Sequence, residues 1–124
     1  MTQILNIDIY RSNGYIIKDF LKEKESQEYG ACSFKLNERF IQFRVAKHTP
    51  KKVGQFVTFW KRIGSGPIEP YDVSDEFDFL IVNVCKDNYS GQFIFPKSIL
   101  CKYGVISNNK IGGKRAIRVY APWD

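Results

Sequence analysis

Residues 39–62, RFIQFRVAKHTPKKVGQFVTFWKR, hold two alternating apolar-aromatic segments, Arg39–Lys47 and Gln55–Arg62, joined by a basic connection, His48–Gly54. Side chains along a strand alternate between faces, so Phe43 and Val45 oppose Phe40, Gln42 and Arg44. In the second segment Val57 and Phe59 oppose Phe56, Thr58 and Trp60. The pattern predicts a sheet with an aromatic-rich body and a cationic mouth at Lys47, Lys51, Lys52, Lys61 and Arg62. A polyanion suits such a surface better than a catalytic centre does.

Charge elsewhere sharpens this. Residues 31–65 carry eight cations against Glu38 alone, whereas residues 66–90 carry six acids (Glu69, Asp72, Asp75, Glu76, Asp78 and Asp87) against Lys86. Residues 91–124 return to six cations against Asp124, and the whole chain has a formal charge of +6. Two basic blocks bracketing an acidic one predict a polarised surface, and a basic block gains phosphate affinity through counterion release.

The 124 residues, 44% hydrophobic and 15% aromatic, suffice for one folded domain, 1–124, with its own core. No apolar run approaches the roughly 18 residues of a membrane span, so no membrane partner is expected. The start, MTQILNIDIYRSNG, lacks the basic and then apolar regions of a signal peptide. Cys32, Cys85 and Cys101 are odd in number and without CxxC spacing, the usage of reduced thiols in a cytoplasm.

Taken in order, residues 4–10 suggest a short strand or ordered arm. Tyr15, Ile16, Phe20 and Leu21 fall at helical spacing and predict a helix over Tyr15–Glu28, with Gly30 placed to end it. Ala31–Leu36 alternates weakly, and Asn37-Glu38 reads as a tight turn into the strand opening at Arg39. Ile63–Glu76 is a long ordered loop. Phe77–Val84 is almost continuously apolar, as a strand buried on both faces would be. Asp87–Gly91 is turn chemistry and Gln92–Phe95 a returning strand. Pro96 opens a short helix with Gly104 beyond its end. Asn108–Gly113 is a loop, and Ala116–Tyr120 a last strand. The order predicts an α+β (mixed α/β) single domain with a central mixed sheet flanked by helices.

Several of these stretches resemble the MepB-like family, small bacterial proteins named for a companion of a multidrug efflux operon. The resemblance rests on Glu28-Tyr29-Gly30, FRVAKHTPKK at Phe43–Lys52, GQFVTFWKR at Gly54–Arg62 and PYD at Pro70–Asp72. It continues through GQFIFPKSIL at Gly91–Leu100 and GKRAIRVYAPWD at Gly113–Asp124. It implies a restriction-endonuclease-like core of the PD-(D/E)XK kind and a link to a drug-response operon.

Nucleases of that architecture place a carboxylate and a lysine two residues apart on one strand, so that both reach the metal and the attacked phosphate. None of the thirteen lysines here has Asp or Glu two residues before it; Val45, Phe59 and Val84 hold that place for Lys47, Lys61 and Lys86. Glu28 resembles the helix acid of such sites, with Asp72 or Asp78 as a second. His48 is the sole histidine, which excludes a zinc site built on several imidazoles. GSG at Gly64–Gly66 lacks the lysine of a phosphate loop and reads as a turn.

The expectation is therefore a non-catalytic nucleic-acid-binding domain on a degenerate nuclease fold, without metal or cofactor. Arg44, Lys47, Lys51 and Lys52 are the expected phosphate contacts. Lys61, Arg62, Lys114, Arg115 and Arg118 extend the track, and Trp60 or Tyr71 offers a stacking surface. DNA and RNA remain alternatives, with single strands favoured over duplex. Two other readings stand beside it: a protein-interaction accessory using residues 69–78 or the terminal APWD, and a weak metal-dependent nuclease.

Overall fold

The structure, a computed structural model, describes residues 7–124. A short helix, α1 (Ile7–Ser12), leads into an edge strand, β1 (Ile17–Lys22), and a 3-10 turn at Gln27–Tyr29. Two longer strands follow, β2 (Cys32–Leu36) and β3 (Arg39–Val45), then three short ones, β4 (Lys47–His48), β5 (Gln55–Thr58) and β6 (Lys61–Arg62). The remainder is β7 (Ile68–Glu69), β8 (Phe79–Lys86), β9 (Tyr89–Pro96), α2 (Lys97–Lys102) and β10 (Ala116–Val119).

A five-stranded sheet, ordered β1-β2-β3-β8-β9, is antiparallel except where β3 and β8 run parallel. The fold is thus a mixed sheet with few helices. Two of its three hairpins, β2–β3 and β8–β9, close through two-residue turns, and each turn sets one residue left-handed: Asn37 at φ 54° and Asp87 at φ 55°. Asn and Asp accept that conformation more readily than other side-chain-bearing residues, which makes these turns legible in sequence. Asn37 also ties β1 on, its side-chain oxygen accepting from the Ile16 amide at 3.0 Å.

β8 is the spine. Leu80–Val84 are all buried, because both faces of this strand are covered. On one face Leu80, Val82 and Val84 meet Val57 and Phe59 near β5, Val119 of β10, Leu100 of α2 and Ile106. Full burial of each such side chain contributes roughly 1.5–3 kcal/mol. On the other face Ile81 joins Cys32, Phe34, Ile41 and Phe43, with Tyr10 of α1 against Phe34 at 6.1 Å.

Several expectations need correction. The helix over Tyr15–Glu28 is instead β1 followed by the 3-10 turn. The free edge of β2 offers a full row of hydrogen bonds, and that tertiary pairing outweighs the helical propensity of a Lys/Glu-rich segment. Phe20 and Leu21, which fall at helical spacing in the sequence, are exposed on the strand. The bulge between Lys18 and Leu21, with Asp19 left-handed, and the charges along the strand are ordinary protections of a sheet edge. The strand or arm at residues 4–10 is helical from Ile7, and its first three residues lie outside the described region.

Neither long strand of residues 39–62 is continuous. The first breaks at Ala46, whose amide donates to Asn83 O at 2.9 Å, and β4 leaves for a second sheet, ordered β10-β5-β4. The second breaks at Phe59 and Trp60, after which β6 pairs with β7 in a separate two-stranded ribbon. Alternation marks faces, not partners, so sequence could not show where one sheet hands over to the next.

Candidate nucleic-acid interface

The β10-β5-β4 sheet turns one face to the core and the other outward. Val57 points inward and is wholly buried, so its neighbour Phe56 points out and is half-buried. Lys47 of β4 and Arg118 of β10 both lie in register with Phe56. The Lys47 ammonium sits 5.2 Å from the centre of the Tyr29 ring, and the Arg118 guanidinium 5.8 Å from that of Phe56. The two rings meet edge-on at 6.2 Å. The outcome is a row of two cations and two aromatic rings, Lys47–Tyr29–Phe56–Arg118.

The β4–β5 connection adds two more cations, Lys51 and Lys52, both exposed. Arg118 Nη1 donates to the carbonyls of Val53 at 3.4 Å and Gly54 at 3.3 Å, which fixes the row against this connection. Gly54 is required there: at φ +85°, a Cβ would stand 2.8 Å from the Tyr120 ring and from Val119 O. The base of the hairpin is held to β8 at one carbonyl, Cys85 O, by His48 Nε2 and Gln55 Nε2, each at 3.0 Å. His48 thus serves as a clamp. Residues 39–62 contain no carboxylate, so no acid of the hairpin itself offsets these cations.

The other predicted contacts are placed differently. Arg44 is 2% exposed and bonded to Phe43 O at 2.8 Å, so it is not a surface phosphate contact. Its position on the inner face of β3, over the Phe59 ring at 5.3 Å, puts it inside the molecule. Lys61 pairs with Asp75 at 2.7 Å, and Arg62 with Glu25 at 3.0 Å. The Arg62 guanidinium also lies 5.5 Å from the Trp60 ring centre, taking part of the indole surface. Arg115 Nε reaches Ile68 O at 3.5 Å, and Lys114 is exposed in the loop before β10. Tyr71 is no stacking platform. It stacks on Phe59 at 4.3 Å and burial raises its pKa.

The carboxylates considered for a metal are likewise committed. Asp72 Oδ1 accepts from Ser107 Oγ at 2.6 Å and from the Lys110 amide at 2.8 Å. Its Oδ2 accepts from the Ser74 amide and hydroxyl at 3.0 and 2.7 Å. Four donors fill the roughly four lone-pair directions of a carboxylate. They hold the group well below the usual carboxylate range, Ser107 contributing most. Asp78 accepts from the Phe40 amide at 2.8 Å, and Glu28 stands exposed on the 3-10 turn. Among the described residues no three His, Cys, Asp or Glu side chains converge as metal ligands would. The acidic loop is therefore largely internal bracing, with Lys97 Nζ also donating to Asp75 O.

Cys32 is buried, and burial pushes its thiol up to about 12. No described helix is long and apolar enough to cross a membrane. Sequence reading gave neither Tyr29 nor Phe56 a role at the surface. The outward place of Phe56 was legible from its alternation with Val57; that of Tyr29, on an irregular turn, was not.

The family model described as MepB-like matches residues 23–124. A crystal structure described as that of MepB superposes with a TM-score of 0.83 at 37% sequence identity, covering 87% of this chain and 72% of that one. Among curated proteins none matches.

Proposed function

The chain belongs to the MepB-like family, and we propose that it is a non-catalytic nucleic-acid-binding protein using the outer face of the β10-β5-β4 sheet. The observation that carries this reading is the row Lys47–Tyr29–Phe56–Arg118, set beside the exposed Lys51 and Lys52. Cations beside half-exposed rings are the components of single-strand binding: phosphates meet the charges, and bases stack at about 1–3 kcal/mol each. Among the described residues no recognition helix accompanies them, so little sequence preference is expected, and single strands should bind better than duplex.

In this reading the mixed sheet is a restriction-endonuclease-like core that has lost its chemistry. Support comes from the lysines, none of which follows a carboxylate by two residues, and from Asp72, whose oxygens are already saturated. Three free cysteines fit a reducing cytoplasm. The test is fluorescence anisotropy with single- and double-stranded DNA and RNA oligonucleotides at low salt. Saturable binding, tighter for single strands and without cleavage in Mg²⁺ or Mn²⁺, is the expected result. Flat isotherms would end the proposal, and a cut product lost in Glu28→Ala would replace it with a nuclease.

A further inference from the structure

A second cationic site lies apart from that face. A cavity of about 430 Å³ opens between the segment after β1 and the start of β6, lined by Arg44, Trp60, Lys61, Arg62 and Tyr71. Lys22, Glu23, Lys24, Glu25 and Ser26 complete much of its rim. It shares no residue with the Lys47–Arg118 row, so it stands independently of the nucleic-acid reading. Its volume is that of an ordinary small-molecule site.

Arg44 is what makes this cavity unusual. A guanidinium keeps its charge at any physiological pH, and burying one is costly unless a carboxylate or a full set of acceptors compensates. Arg44 has neither. Nη1 reaches Phe43 O at 2.8 Å and Gln42 Oε1 at 3.4 Å, and the guanidinium also interacts with the Tyr71 hydroxyl, while Nε is buried and has no acceptor among the described residues. The ion pairs among the described residues join Lys61 to Asp75 and Arg62 to Glu25, leaving Arg44 unpaired. Five cations line the cavity against two carboxylates, Glu23 and Glu25. Trp60 supplies an aromatic wall next to them. Arg44 borders the cavity with its charge unmatched by an ion pair, and its planar fork matches phosphate oxygens, so an anion seated there would supply the missing counter-charge.

We propose that this cavity binds a terminal phosphomonoester attached to a planar base, with the phosphate toward Arg44 and Arg62 and the base against Trp60. Two sources share that chemistry: a free nucleoside monophosphate and the phosphorylated 5′ end of a nucleic acid. Calorimetric titration with uridine monophosphate, inorganic phosphate and acetate at matched ionic strength reads the site directly. Short oligonucleotides with 5′-phosphate or 5′-hydroxyl ends separate the sources.

Saturable binding of uridine monophosphate, tighter than inorganic phosphate and absent for acetate, is expected. Binding should weaken about tenfold or more in Arg44→Met, the size of a lost charge-assisted hydrogen bond. Smaller losses are expected in Arg62→Ala and Trp60→Leu, and none in Lys86→Ala. Arg44→Met should melt no lower than the parent, because an apolar side chain removes an uncompensated buried charge. If Arg44→Met does not fold, the exposed Arg62→Ala and the half-buried Trp60→Leu decide alone. Uridine monophosphate binding no better than acetate, or unaffected by these substitutions, overturns the proposal. A preference for phosphorylated over hydroxyl ends assigns the site to nucleic-acid termini, and binding of the mononucleotide alone assigns it to a free nucleotide. Oligonucleotides that bind regardless of their end while uridine monophosphate does not would sink the pocket and leave the sheet-face reading standing.

Discussion

The two ends of the β5 segment carry similar charge in sequence and opposite states in space. At its start, Lys47, Lys51, Lys52 and Arg118 gather with no carboxylate of the described residues in an ion pair with them. At its far end, Lys61 and Arg62 are paired to Asp75 and Glu25, and Arg44 has withdrawn into the interior. The acids that neutralise the far end lie 14 and 37 residues away in sequence. A run of basic residues therefore predicts where cations are, not which of them remain free to meet a phosphate. In the proposed reading the first end meets a polyanion and the second encloses a small anion.

The comparison can be broken by substitution. Phe59→Ala should have the largest effect, about 3–5 kcal/mol of lost stability in denaturant unfolding. Its ring is 1% exposed and lies under both Tyr71 and Arg44, so the second end should loosen first. A loss under 1 kcal/mol would mean that this end is not built on that ring.

Asp72→Asn should lower the melting midpoint less than Phe59→Ala but clearly, because the amide cannot accept four donors. Its depressed pKa gives a sign as well. The stabilisation is fully present above the unfolded value near 3.9 and is lost as pH falls below it. Melting curves from pH 7 to pH 2 should draw together for parent and variant below about pH 4 without meeting, because the folded carboxylate keeps its charge to lower pH than the unfolded one; parallel curves would contradict the linkage.

Phe56→Ala should leave the fold intact and cost single-stranded oligonucleotides about 1–3 kcal/mol of binding, with a smaller loss for duplex. Equal losses on both substrates would remove stacking from the account. The smallest effect is expected from Glu25→Gln, which frees Arg62. As an exposed pair it is worth no more than about 1 kcal/mol, so oligonucleotide affinity should rise only slightly. A large gain would show that the second end competes for the same ligand.

Much of the fold was legible because local chemistry and tertiary structure agree. Asn37-Glu38 and Asp87 announce their turns, and the apolar run through Leu80–Val84 announces a doubly covered strand. Pro96 and Gly104 bracket α2 as expected, Gly104 at φ +71°. β1 was misread because its residues suit a helix, and only the open edge of β2 makes them a strand. The site was half legible. Of the expected mouth, Lys47, Lys51 and Lys52 lie on one hairpin with Arg118 beside them, Lys61 and Arg62 are drawn into ion pairs elsewhere, and Arg44 sits one residue from Phe43 on a strand whose two faces are both buried. Alternation alone could not say that the second face was covered.

The account turns on four cations at the start of β5 being the phosphate contacts. Four contacts predict that log affinity for duplex DNA falls with log salt at a slope near −3.6, and Lys51→Ala/Lys52→Ala should reduce it to about −1.8. Lys61→Ala/Arg62→Ala should leave the slope where it was. An unchanged slope in the first double variant, or an equal reduction in the second, would contradict the assignment.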